Sequence, residues 1–202
     1  MSKKDNVVVV GFAETSKAYE ALSVLKQCDE DGRVELRSAA VVERKPDGEL
    51  SVLESADNFA LLGTASGSMI GMLIGVLGGP VGVLLGWGAG ALTGELYDVG
   101  RSEVSAEALV ELGRAIPIGS TALIANVKEP TIEVVDDEMS KLGGEVTRRS
   151  VSEVMAELEA AEDAAEAAAS EARRVVREQK KAELNADLDA RVSKLKQKLH
   201  AA

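Results

Sequence analysis

Nucleophilic or metal chemistry in this chain would rest on very few side chains. Cys28 is the only cysteine and His200 the only histidine among 202 residues. A Ser-His-Asp triad, a Cys-His dyad or a multi-histidine metal site would each have to be built on that one imidazole near the C-terminus. A single thiol rules out an intrachain disulfide framework and a cysteine-cluster zinc site, and it suits a reducing cytoplasm. Cys28 reads as a core thiol. The carboxylate pairs Asp136 with Asp137, and Glu162 with Asp163, fall in stretches of ordinary charged helix, where nothing nearby would divide them into an acid and a base. They read as solvated faces. The stretch "GWGAGALTG" has glycines at 86, 88, 90 and 94, which misses the G-x-G-x-x-G spacing, follows no strand and brings no lysine for a phosphate loop. No catalytic residue, cofactor site or metal site emerges, no cofactor is implied, and the chain is not expected to be an enzyme.

The regular spacing belongs instead to glycine. Gly63, Gly67, Gly71, Gly75 and Gly79 form one series of period four, and Gly82, Gly86, Gly90 and Gly94 form a second. Both lie in a run of 37 residues, Asn58 to Gly94, without a charge. In a helix, residues four apart stack on one face, so each series would make a smooth groove that lets another backbone approach closely. "LGGPVG" divides the run into two arms of about 18 residues, near 27 Å each as helix, close to the hydrocarbon thickness of a bilayer. Nine glycines inside helices would cost on the order of 9 kcal/mol relative to alanine, which only tight packing or a bilayer makes tolerable. The chemistry on offer is therefore self-association through a helical hairpin. Two settings satisfy it: a membrane, or the dry core of a soluble oligomer, since a lone apolar hairpin would aggregate. The flanking charges are acidic on both sides, Glu54 and Asp57 before and Glu95 and Asp98 after, so the positive-inside pattern is absent.

Composition narrows the partners. Aromatic residues are 2% of the chain and the net charge is −11, so neither stacking platforms nor a basic surface exists for nucleic acid. The N-terminal "MSKKDNVVVVGFAETSK" has a basic start but too short an apolar run for a cleavable signal. The body of the protein is expected in the cytoplasm.

The elements that must hold the glycine segment can be read on either side of it. "NVVVVGF" is a β-branched run suited to a buried strand. "TSKAYEALSVLKQCDEDG" follows as a helix, with Thr15 or Ser16 as N-cap, Ala18, Leu22, Leu25 and Cys28 on one face, and Gly32 as the stop. "RVELRSAAVVERK" and "ELSVLES" make a hairpin turned by Pro46 and Gly48. After the glycine segment come a helix in "SAEALVELGRAI" capped by Ser102 or Ser105, a strand in "STALIANVKE", a helix from Pro130 to Gly143 and Gly144, and the strand "EVTRRSV". Two β-α-β units with a hairpin between them predict an α+β sandwich of ferredoxin-like type. From Val151 to Leu199 there is no glycine or proline, which predicts one long helix of roughly 70 Å, or two with a soft break near Asn185. Ser150 to Ala172 carries seven acidic and no basic side chains, and Arg173 to Ala202 nine basic and four acidic. That order matches the helix dipole and would also let a partner helix pair its ends.

With these landmarks in order, "VVVVGF", "AAVVERKPDGEL", the block from "GTASGSMIG" to "GALTGELYDVG", "IPIGSTALIANVK" and "LGGEVTRRSV", the chain resembles a bacterial family of unknown function labelled predicted membrane protein. The resemblance runs from about Val7 to Val151. It implies a ferredoxin-like domain interrupted by a glycine-zipper hairpin, and it carries no catalytic residues over. The long C-terminal helix departs from the family's shorter ending and favours a scaffold or assembly role.

The expected organisation is a ferredoxin-like domain in two parts, residues 1–57 and 99–150, with a glycine-zipper helical hairpin over 58–98 and a charged, alanine-rich helix over 151–202. The expected function is non-enzymatic self-assembly as a homo-oligomer, with membrane lipid as a second partner at the inner membrane. The alternative is a wholly soluble ring, cage or filament with the hairpins as its core. A small-molecule sensor or enzyme using a groove on the sheet is the third reading.

Overall fold

The computed structural model describes residues 4–56, 69–79 and 106–200. In chain order the elements are β1 (Lys4–Phe12), α1 (Thr15–Glu30), β2 (Glu35–Arg44), β3 (Leu50–Ala56), α2 (Met69–Gly78), α3 (Glu107–Arg114), β4 (Thr121–Glu129), α4 (Glu133–Lys141), β5 (Glu145–Ser150) and α5 (Val151–His200). The strands form one sheet in the order β3-β2-β4-β1-β5, and every neighbouring pair is antiparallel. The class is α+β, with a long C-terminal helix.

Val7 to Val10 are completely buried, because β1 lies inside the sheet and both of its faces are covered. This is why the sequence shows an unbroken aliphatic run rather than alternation. Val7 and Val9 face a cluster with Ile70, Leu73 and Leu77 of α2, Leu109 and Leu112 of α3, and Val154 and Leu158 of α5. Val8, Val10 and Phe12 face the other way, onto Leu22 and Leu25 of α1 and Val135 and Met139 of α4. Helices thus cover both faces of the sheet. The units β1-α1-β2 and β4-α4-β5 each cross over one strand, so β4 lies between β1 and β2, and β1 between β4 and β5. The β2–β3 hairpin adds its second strand at the edge.

Glycine ends α1 and α4 as the sequence predicts. Gly32 and Gly143 take φ of +69° and +80°, a conformation glycine adopts without Cβ strain, and the N–H groups that follow return to the last helical carbonyls. Arg33 N–H donates to Cys28 O at 2.9 Å and Gly144 N–H to Met139 O at 3.0 Å. The helix starts differ from expectation. Glu14 is the N-cap of α1 and makes no side-chain cap; Thr15 is already helical, and its hydroxyl is within 3.0 Å of Thr121 Oγ1 on β4. Helix α4 begins at Glu133 rather than Pro130. Ser102 and Ser105 lie outside the described residues, and α3 takes its cap from a distant residue: Glu157 of α5 accepts from the N–H groups of Ala108 at 3.1 Å and Leu109 at 2.8 Å. A carboxylate at that position satisfies two orphan donors and matches the positive end of the helix dipole.

Helix α5 is continuous from Val151 to His200, with no break at Asn185. It opens with a capping box in which Ser150 Oγ accepts from the Glu153 N–H at 3.3 Å and Glu153 Oε2 accepts from the Ser150 N–H at 3.2 Å. Met1–Glu162 forms one compact unit and Asp163–Ala202 a second. Within the second unit, Arg174 pairs with Glu171 at 2.5 Å and with Glu178 at 3.3 Å, the i,i+3 and i,i+4 contacts by which a charged helix supports itself.

Candidate functional site: the glycine segment and its docked helix

Helix α2 is the described part of the charge-free run. Ten residues, MIGMLIGVLG, place Ile70, Leu73, Ile74 and Leu77 at the spacing of one helical face, and all four are buried. That face rests on the sheet beside Val42, Leu50 and Ile124. Among the described residues, no helix is long and apolar enough to cross a membrane.

Three of the nine spaced glycines fall on described residues. Gly71 is buried and Gly75 exposed, so the series passes from covered to open within one turn. A Cβ built on Gly75 would meet nothing within 4 Å. Gly79 lies just past the helix, where a Cβ would press on the Gly75 carbonyl oxygen. Gly63, Gly67, Gly82, Gly86, Gly90 and Gly94 lie outside the described residues. The glycine that brings α2 close to its neighbour is Gly78, which belongs to neither series: a Cβ there would stand 2.6 Å from the Leu50 backbone nitrogen and 2.8 Å from Leu50 Cβ. Its small size lets the end of α2 rest on the start of β3.

Beneath that end lies Arg44, 2% exposed. Its Nη1 donates to Gly48 O at 3.0 Å and to Leu77 O at 3.3 Å, tying the β2–β3 turn to the last turn of α2. A cation suits the carbonyl end of a helix. Among the described residues Nε and Nη2 have no hydrogen-bond acceptor, and burial lowers the pKa of the guanidinium. In sequence, Arg44 falls near the end of the strand predicted over "RVELRSAAVVERK", with no role of its own assigned. Strand alternation was the available signal, because Ala40, Val42 and Arg44 fall on one face of β2 and the first two are core.

Cys28 and the Glu129–Arg148–Asp136 group are packed or paired within the fold. Burial pushes the Cys28 thiol up, Arg33 Nη1 donates to its sulfur at 3.4 Å, and the neutral thiol that results is a poor nucleophile. Glu129, 1% exposed, accepts from Arg148 Nε at 2.7 Å and Asn6 Nδ2 at 2.8 Å. Arg148 Nη2 also reaches Asp136 at 2.7 Å. Burial alone would lower the Arg148 pKa, but the hydrogen bonds and charges of Asp136 and Glu129 outweigh it and leave it raised. Asp136 is therefore an ion-pair partner rather than the purely solvated carboxylate its sequence context predicts. Among the described residues, no group of three or more His, Cys, Asp or Glu side chains is placed to hold a metal.

No curated protein and no solved structure matches the chain. Residues 64–162, from inside the charge-free run to the last residue of the first compact unit, match the model of a family described as a protein of unknown function, DUF1269.

Proposed function

We propose that the protein is a non-enzymatic, self-assembling structural protein that oligomerises through its glycine segment in or on the inner membrane. The observation that carries this reading is the charge-free run from Asn58 to Gly94 with its two glycine series. A glycine groove has no use in water unless a second backbone fills it. Gly75, exposed with open space before it, is where such a backbone would lie against α2. The partners are further copies of the chain and membrane lipid, with no role for nucleic acid. The two β-α-β units form a ferredoxin-like sandwich with β3 as an added edge strand, and this domain holds the segment from the cytoplasmic side.

The alternative is a wholly soluble homo-oligomer, and one observation favours it. The most apolar face of α2 is already covered by the sheet, which leaves the exposed surface around Gly75 for contact with another copy. Gly75→Leu tests both versions, because the fold has room for the side chain whereas a close helix contact does not. Light scattering on protein purified without detergent is expected to show a smaller particle for the variant than for the parent. An unchanged particle would remove the glycine segment as the assembly surface. Flotation of the parent with liposomes would place assembly at a membrane, and a discrete oligomer that stays below would place it in water.

A further inference from the structure

Helix α5 beyond Glu162 is almost bare. Over residues 163–181 every side chain is exposed except Ala165 and Ala169, which are half-buried, and Val175 and Val176 are 41% and 49% exposed. The charges of this segment come in blocks. Residues 163–172 carry three acidic and no basic side chains, 173–181 five basic and one acidic, 182–190 three acidic and no basic, and 191–202 four basic and no acidic. Such blocks outrun the three- or four-residue reach of an ion pair within one helix. Among the described cations of the second block, only Arg174 has ion-pair partners, Glu171 and Glu178. Because α5 is one continuous helix, its fourth block cannot fold back onto its first. A reversed copy of the same helix supplies the opposite charge throughout: first block against fourth, and second against third. A copy in parallel and in register sets like charge on like.

The apolar spacing fits the reversed direction. Ala168, Ala172, Val175 and Gln179 follow at intervals of 4, 3 and 4, and so do Leu199, Leu195, Val192 and Leu188 taken backwards. These are the seam intervals of a coiled coil. Aligned antiparallel, Ala168 meets Leu199, Ala172 meets Leu195 and Val175 meets Val192 of the other copy. Small faces large at the first two levels, the arrangement that fills a seam, and Gln179 opposite Leu188 is the polar step near the two-fold axis. A charge also stands just before a seam position four times: Glu171, Glu178, Arg191 and Lys198. Reversal brings these flanks side by side, Glu171 with Lys198 and Glu178 with Arg191 of the other copy, and the two-fold repeats each pair. A parallel pair sets Glu178 against Glu183 and Arg191 against Lys196, both repulsive. Arg174 reaches both glutamates from within its own helix, and a carboxylate has lone pairs for both partners.

We propose that α5 beyond Glu162 pairs antiparallel with the same segment of a second copy of the chain, Val175 facing Val192. This contact is separate from the glycine segment. The test is cross-linking of the full chain with a short bismaleimide, in a mixture of Val175→Cys and Val192→Cys variants, with the linked positions identified by mass spectrometry. Antiparallel pairing holds the two copies of position 175 about 25 Å apart along the axis. The 175–192 cross-link is therefore expected at least about tenfold above 175–175 or 192–192. Dominant 175–175 linkage would mean parallel pairing and overturn the proposal, as would the absence of all three. Glu171→Lys with Glu178→Lys in one chain, and Arg191→Glu with Lys198→Glu in another, each make every flank pair like-charged. These positions lie beyond the first compact unit, so its fold is untouched. Either chain alone should lose the 175–192 cross-link by at least about tenfold, and mixing the two, which restores opposite signs at all four pairs, should recover it. No loss in either chain, or no recovery on mixing, overturns the proposal. Repeated in Gly75→Leu, the cross-link is expected to persist whether or not the particle shrinks; its loss there would show that α5 has no pairing of its own.

Discussion

The Glu153 carboxylate accepts from the Ser150 backbone N–H and from the Ser150 hydroxyl, and those bonds hold its pKa below the ordinary 4.5. Glu138 is lowered by hydrogen bonds from Lys141 and Arg33, and Glu133 by its hydrogen bond with Thr131. For a carboxyl whose folded pKa lies below its unfolded value, the stabilisation is fully present above the unfolded pKa and disappears as the pH falls through the folded one. Glu133 and Glu153 are exposed and Glu138 is half-buried between two cations, so solvent screening keeps the first two effects small, but all three have the same sign. Stability measured by urea should therefore be level above about pH 6 and decline below about pH 4.5. Glu153→Gln keeps an acceptor for the cap but cannot titrate. It should leave the neutral-pH midpoint nearly in place and make the acid decline shallower; an acid limb superimposable on the parent's would show that this capping box contributes nothing to the pH dependence.

At the level of the element, α2 makes two of its glycines opposite cases. Within a single protomer Gly75 faces open space in a helix interior, so at protein concentrations low enough to keep the chain monomeric Gly75→Ala removes backbone freedom from the unfolded chain without a clash and should stabilise by about 0.5–1 kcal/mol. Gly78→Ala would drive a methyl group to 2.6 Å from the Leu50 nitrogen, and a shift of α2 or β3 to relieve it should cost about 1–3 kcal/mol. Urea midpoints of the two variants should move in opposite directions; movement in the same direction would contradict the docking of α2 on β3. The contrast also marks what a single sequence can reveal. Val7 to Val10 announced a strand covered on both faces, and Gly32 and Gly143 announced helix ends, because each signal is local. Ser150 and Glu153, spaced as a capping box at the start of α5, carry a signal that is equally local. The docking of α2 was not legible: Ile70, Leu73, Ile74 and Leu77 present the same pattern to a bilayer, a neighbouring subunit or the protein's own sheet, and only the tertiary fold selects among them. Gly78 stands beside a glycine series of period four without belonging to it, and its reason lies at Leu50, distant in sequence.

For the whole molecule, the division at Glu162 separates two kinds of stability. The first unit has two apolar clusters, one on each face of a five-stranded sheet, whereas Asp163 onward is helix supported by ion pairs such as Arg174 with Glu171. Such pairs are worth only a few tenths of a kcal/mol each, and a helix of this kind adds little to cooperative unfolding. The start of α5 is different, because Val154 and Leu158 are buried in the first unit and Glu157 caps α3 across 49 residues of sequence at Ala108. A boundary drawn from sequence at Val151 misses this, since composition changes at the start of the helix while the packing ends three turns later. A chain ending at Glu162 should therefore unfold cooperatively in urea at nearly the parent midpoint, with helical circular dichroism reduced by the lost helix. A chain ending at Ser150 loses two core side chains and the α3 cap. Truncating a buried aliphatic costs about 2–5 kcal/mol and removing a cap about 1 kcal/mol, a loss comparable to the whole stability of a domain of this size. It should be largely unfolded or aggregated. Equal stability of the two truncations would mean that the first turns of α5 are not part of the core. A large drop for the chain ending at Glu162 would mean that residues beyond it bear on the stability of the first unit.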